Sequence, residues 1–157
     1  MLARSCDRAL RYGREPIPTA TFIDEIRAGR GGSIGIVCST VVAVDLDIES
    51  ETTARIVEIM AREILGDTPL RRVGRAPRSA LIYRPLRIIS PGELIGFAGT
   101  DVRVDGLVFV AFGIHPQTRN PYSWGGATPL DTPVEDLPTV DVARLQEFLT
   151  AIGVIMW

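Results

Sequence analysis

The spacing of apolar positions changes period several times along the chain. Residues 33–37 and 41–47 are short apolar runs rich in β-branched side chains, which predicts two strands with Cys38-Ser39-Thr40 as a tight connection. From residue 51 the period becomes helical. Ile56, Ile59, Met60 and Ile64, with Val57 beside them, make the expected buried stripe of a helix over 51–65. Ser50 precedes that helix and Gly66 ends it. Upstream, residues 2–14 have helix-compatible spacing and stop at Pro16 and Pro18. Thr21 stands as a cap for a short helix through Ala28, with Asp24 in its first turn, and Gly29-Arg30-Gly31-Gly32 breaks the chain.

The second half returns to short strands. Residues 72–75 and 80–84 flank a Gly74-Arg75-Ala76-Pro77 turn, and strands are expected at 93–97, 101–104 and 107–113. Asp105-Gly106 predicts a hairpin between the last two. A loop rich in Pro, Gly, Thr and Asn covers 115–138, and Asp141 caps a final helix at 142–152. No internal repeat or low-complexity segment is present. Strands and helices mix without strict alternation, which predicts an α+β fold with a mostly antiparallel sheet and flanking helices.

Composition bounds the class. The 157 residues suit a single domain, 1–157, and 46% hydrophobic content is that of a globular chain. No apolar run is long enough to cross a bilayer, and the N-terminus lacks the apolar core of a signal peptide, so no membrane association and a cytoplasmic location are expected. Cys6 and Cys38 make no disulfide framework. One histidine and no Cys-x-x-Cys pair argue against structural zinc. A net charge of −2 argues against a protein that coats nucleic acid uniformly. All 17 cationic side chains are arginine, and six of them fall between Arg71 and Arg87. A GC-rich coding sequence explains the absence of lysine as well as function does.

Candidate chemistry begins at the end of the second strand. Side chains alternate along a strand, so Asp45 and Asp47 share a face. Two carboxylates there repel unless a cation lies between them, and magnesium binds through one or two carboxylates plus substrate phosphates. The plainer reading is that acids end a strand where the chain leaves the core. Asp101 starts a later strand two residues before Arg103, on the same face, whereas Asp105 reads as a turn residue. Arg72, Arg75 and Arg78 are either a solvated charged stretch or, with Gly74 and Pro77 between them, a shaped turn that aims guanidinium groups at phosphate. His115, before Pro116, is either a loop residue with one hydrogen bond or a contact to nucleotide or template. Tyr122 and Trp124 either stack on a base or pin the long loop to the body.

Three blocks, in order, resemble a known family. They are Val44-Asp45-Leu46-Asp47; Arg72-Val73-Gly74-Arg75-Ala76-Pro77-Arg78 with Leu81-Ile82-Tyr83-Arg84; and Asp101-Val102-Arg103-Val104-Asp105-Gly106 with Phe109-Val110-Ala111-Phe112-Gly113-Ile114-His115-Pro116. Together they resemble the archaeo-eukaryotic primase superfamily, in its bifunctional primase-polymerase branch of phage, prophage and plasmid replication proteins. The resemblance covers roughly residues 34–138. It implies a sheet with an RNA-recognition-motif-like core and template-directed nucleotidyl transfer with Mg²⁺ or Mn²⁺. It implies nucleoside triphosphates and a single-stranded DNA template as ligands, and a replicative helicase as a partner. Asp45, Asp47 and Asp101 match the catalytic metal ligands, and Arg72, Arg75, Arg78 and His115 are the implied nucleotide contacts.

The chain departs from that pattern in places. The middle motif of the wider superfamily holds a histidine, and Arg78-Ser79-Ala80-Leu81 has none. The N-terminal third is short, and Cys38-Ser39 stands where glycine is common. These departures point to the alternative, a catalytically degraded module that binds nucleotide or single-stranded DNA. Such domains are usually joined to a helicase or primase module. An end at Trp157 is therefore expected of a stand-alone form or a fragment.

Overall fold

A computed structural model describes residues 2–3, 33–94, 100–104 and 106–155. In chain order the elements are β1 (Leu2–Ala3), β2 (Ser33–Val37), β3 (Val42–Leu46), α1 (Glu51–Leu65), β4 (Arg71–Val73), β5 (Ser79–Pro85), β6 (Thr100–Arg103), β7 (Val108–Gly113), β8 (Ser123–Trp124), β9 (Thr139–Val140) and α2 (Val142–Ile155). The expected single sheet is two sheets. One has the order β1-β2-β7; the other has β6-β3-β5-β4-β8, with β9 added to β5. Among the described residues every strand pair is antiparallel except β5–β9.

The alternation of β3 builds the layers. Val42, Val44 and Leu46 point to one face with Leu81 and Tyr83 of β5, and there meet Val57 and Leu65 of α1 and Leu145, Phe148, Leu149 and Ile152 of α2. Ala43 points the other way with Ala80 and Ile82, against Phe109 and Ala111 of β7. The larger sheet is therefore covered by helices on one face and by the smaller sheet on the other. Asp45 has the parity of Ala43, so it faces the space between the sheets.

The helix at 51–65 forms with the predicted ends. Ser50 accepts a hydrogen bond from the Thr53 amide, and Gly66, at φ 102°, donates its amide to the Arg62 carbonyl. Its buried face is rotated from the expected one. Ala54, Val57, Ala61 and Leu65 are buried, Met60 and Ile64 pack at the margin, and Ile56 and Ile59 are 41% and 55% exposed. Small Ala54 and Ala61 let the helix axis approach the sheet, and close approach decides which stripe is buried. Asp141 caps α2 by accepting the Arg144 amide at 2.8 Å.

Other expectations are corrected. Residues 104–107 do turn, with the Leu107 amide donating to the Val104 carbonyl and Gly106 at φ 76°. The turn does not close a hairpin: β6 pairs with β3 and β7 pairs with β2, so the chain crosses between sheets there. A tight turn fixes only local direction, and the open edges of β2 and β3 capture the two strands separately. Asp105 itself lies outside the described residues. Leu2–Ala3 is a strand on the edge of β2, not helix, and the rest of the expected opening helix, the Thr21-capped helix and Cys6 lie outside the described residues. Glu93 and Leu94 form a bend instead of starting a strand, because the Glu93 carboxylate turns back to accept the Ser90 amide and Arg87. Residues 95–97 of that expected strand lie outside the described residues. The 115–138 loop contains β8, and a short 3₁₀ turn at Val134–Asp136. No helix among the described residues is long and apolar enough to cross a membrane.

Candidate active site

The strand register places the first site residues in one row. Asp45 is opposite Asp101 on β6 and opposite Ala80 on β5; Ala80 is opposite Arg72 on β4, and Arg72 is opposite Trp124 on β8. Directly opposed residues share a face, so the row Asp101, Asp45, Ala80, Arg72, Trp124 points into the space between the sheets. Ala80 is the gap in the row. Its small side chain lets the Arg72 guanidinium reach across β5 to the Asp45 carboxylate at 3.5 Å.

Arg72 is spent inside the protein. Its Nη1 donates to the Val110 carbonyl of β7 at 2.6 Å, and its guanidinium lies 4.9 Å from the centre of the Tyr122 ring. It is buried and ties the larger sheet to the smaller one. Trp124 does the same from β8, donating its indole N–H to the Ala111 carbonyl at 3.1 Å and packing on Phe112. Of the two readings for Trp124, the loop-pinning one describes its contacts.

Arg75 and Arg78 lie in the connection between β4 and β5. Arg78 Nη1 bonds Asp47 at 3.1 Å, and its Nη2 bonds Oε1 of Glu49. Arg75 Nη2 bonds that same oxygen at 2.5 Å. The hydrogen bond from Arg78 holds the exposed Glu49 carboxyl below its ordinary range. Glu49 was not foreseen, although the alternation Asp45, Asp47, Glu49 is visible in the sequence.

His115 and Tyr122 also line the site, against Gly74 of the turn. His115 Nδ1 accepts the amides of Gln117 and Thr118 at 3.3 and 3.2 Å, so the ring proton sits on Nε2. Partial burial, and then the cations Arg75, Arg72 and Arg78, push its pKa down, so the ring is a neutral donor. The His115 and Tyr122 rings meet edge to face at 5.4 Å. Gly74 leaves room for both: a Cβ there would lie 2.5 Å from a Tyr122 ring carbon and 2.7 Å from His115 Cδ2.

These groups line one cavity of about 250 Å³, walled by Asp45, Asp47, Arg72, Arg75, Arg78, His115 and Tyr122, with Val108, Phe109 and Val110 from the smaller sheet. Asp101 stands beside Asp45 on the ladder, but its carboxylate is paired with Arg103 at 2.8 Å and is not on the cavity wall. Among the described residues no three His, Cys, Asp or Glu side chains are grouped as a metal site. The electrostatics nevertheless suit a cation. Burial pushes the Asp45 carboxyl up, Arg72 and Arg103 oppose that, and the like charges of Asp47 and Asp101 push it up further. Asp45 and Asp47 are two carboxylates on the cavity wall, a number that could hold magnesium if phosphate oxygens completed its shell.

The family model for the bifunctional DNA primase/polymerase N-terminal domain matches residues 13–140, most of the chain. No curated protein matches it.

Proposed function

Because the chain belongs to the bifunctional DNA primase/polymerase N-terminal family, we propose that it joins nucleotides on a single-stranded DNA template, in the replication of a phage, prophage or plasmid. The observation that supports this best is the cavity that brings Asp45 and Asp47 together with Arg75 and Arg78. Asp45 and Asp47, with Asp101 beside them, are the residues to hold Mg²⁺ or Mn²⁺. The bound ion would supply charge stabilisation on the phosphates and a more acidic attacking hydroxyl.

The chain's own contribution is positioning. Arg75 and Arg78 present guanidinium forks to triphosphate oxygens, the geometry that suits bidentate phosphate recognition. His115 offers a neutral Nε2–H donor on the wall of the same cavity, beside Gly74 of the turn. Arg72 orients Asp45 and holds the two sheets in register, so its part in nucleotide binding is indirect. The apolar strip Val108–Val110 closes one side to water and strengthens each charge inside. A replicative helicase is the partner this activity calls for.

The test is incorporation of labelled nucleotide on a primed single-stranded template with Mg²⁺ or Mn²⁺. Asp45→Asn keeps the side-chain size, removes the charge, and is expected to abolish incorporation while the fold persists by circular dichroism. Wild-type activity in that variant would refute the assignment. A second reading is favoured by the engagement of Asp101 with Arg103. In it the pocket binds nucleotide or single-stranded DNA without joining nucleotides. Calorimetry that shows binding of a deoxynucleoside triphosphate, with no incorporation under the same conditions, would establish it.

A further inference from the structure

Two guanidinium groups that line the cavity share a single carboxylate oxygen. Glu49 Oε1 accepts from Nη2 of both Arg75 and Arg78, while Arg78 Nη1 reaches back to Asp47. One oxygen between two arginine forks is the arrangement that a phosphate oxygen would take. Glu49 itself is not on the cavity wall, and its side chain is 66% exposed, against 33% for Arg75 and 31% for Arg78. The exposed carboxylate thus occupies the Nη2 donors of both arginines, donors that a ligand oxygen reaching the same guanidinium groups would need.

We propose that Glu49 is an internal competitor for the arginine turn, a carboxylate latch that an incoming polyphosphate must displace. This rests on the reading of Arg75 and Arg78 as triphosphate contacts. The acidic side chains of Asp47 and Glu49 neutralise the turn. A ligand of low charge exchanges one anion for another and gains little. A triphosphate brings several charges and can hold both guanidinium groups at once. Its arrival moves Arg78 from Asp47 as well as from Glu49, so the carboxylate at the end of β3 is released in the same event. Glu49 thus sets the charge that a ligand needs to open the site.

The experiment is calorimetry of the full chain with inorganic tripolyphosphate, in buffer free of divalent cations. Glu49→Gln keeps the size of an exposed side chain and removes its charge. Exposed ion pairs are individually weak, so the variant is expected to bind tripolyphosphate about threefold to tenfold more tightly. In an Arg75→Ala, Arg78→Ala background the same substitution is expected to change nothing, because no competition remains. Equal affinity of wild type and Glu49→Gln would overturn the latch. Weaker binding by Glu49→Gln would also overturn it, and would make Glu49 an organiser of the turn instead. If wild type and the double arginine variant bind equally, or if none of the proteins binds, the triphosphate reading itself fails. That outcome is distinct from tripolyphosphate binding that needs the arginines and ignores Glu49.

Discussion

Replacing Arg72 with methionine removes the charge at the centre of the sheet row and keeps most of the side-chain volume. The cost can be worked from two contacts. Breaking a fully buried ion pair by deleting one partner costs about 3–5 kcal/mol, because the other charge is left without compensation. Here the pair is 10% and 21% exposed and 3.5 Å apart, which reduces that share to about 2 kcal/mol. Losing the charge-assisted hydrogen bond to the Val110 carbonyl adds about 1.5–3 kcal/mol. The two are coupled through one guanidinium and do not add in full. The expected loss is about 3 kcal/mol, or about 6–12 °C in Tm for a domain of this size.

The pH dependence has a defined sign. The folded-state pKa of Asp45 is raised, mainly by burial, so its protonation favours folding. That contribution is full below the unfolded value of 3.8 and is lost as pH rises through the raised folded value. Arg72 lowers that folded value, so Arg72→Met raises it further and enlarges the loss at neutral pH. Urea unfolding in a chelating buffer, at about pH 4.5 and about pH 7, checks this. The variant's deficit is expected to be larger at neutral pH, and to shrink by at least about 1 kcal/mol in an Asp45→Asn background. An equal deficit at both pH values, with an equal cost in both backgrounds, would show that the pair contributes nothing and that Arg72 acts only through Val110.

Three further outcomes are expected. Gly74→Ala should push Tyr122 and His115 out of place and cost about 1–3 kcal/mol, read by urea unfolding alongside weaker nucleotide binding by calorimetry. Nitrogen NMR of His115 should show the Nε2–H tautomer at neutral pH and a midpoint below 6.5; stability should accordingly fall as pH drops from 6.5 through that midpoint, and His115→Asn should remove this decline. Ser50→Ala should cost about 1 kcal/mol by removing the cap of α1, with nucleotide affinity unchanged.

What was legible in the sequence was local. The β-branched runs gave β2 and β3, and period 2 put Asp45 and Asp47 on one face. The serine and glycine at 50 and 66 gave both ends of α1. The misreadings concern pairing at a distance. Asp105-Gly106 announces a turn, but whether the flanking strands pair with each other depends on β2 and β3, which lie far away in sequence. The stripe of α1 was assigned by counting large apolar residues, whereas alanine at 54 and 61 allows the close approach that sets the buried face. Glu49 was missed because its partners stand 26 and 29 residues on, in a turn whose position follows from the β4–β5 register.

The same register divides an arginine run that reads as uniform. Arg71 and Arg72 are neighbours on β4, so the pleat sends them to opposite faces. Arg71 has the parity of Leu81 and meets Glu58 of α1 on the helix side, at 2.7 Å. Arg72 has the parity of Ala80 and goes between the sheets to Asp45. Within that run, Arg75 and Arg78, which leave the ladder at the turn, combine a place on the cavity wall with a partner that is itself exposed, as Arg103 of β6 does through Asp101. A ligand can take such guanidinium groups by exchanging one exposed carboxylate for phosphate. Taking Arg72 would instead leave Asp45 and the Val110 carbonyl uncompensated between two sheets. Density of positive charge along the sequence therefore overstates the phosphate site: strand parity removes two arginines from it, and the turn supplies the two that remain free to exchange partners.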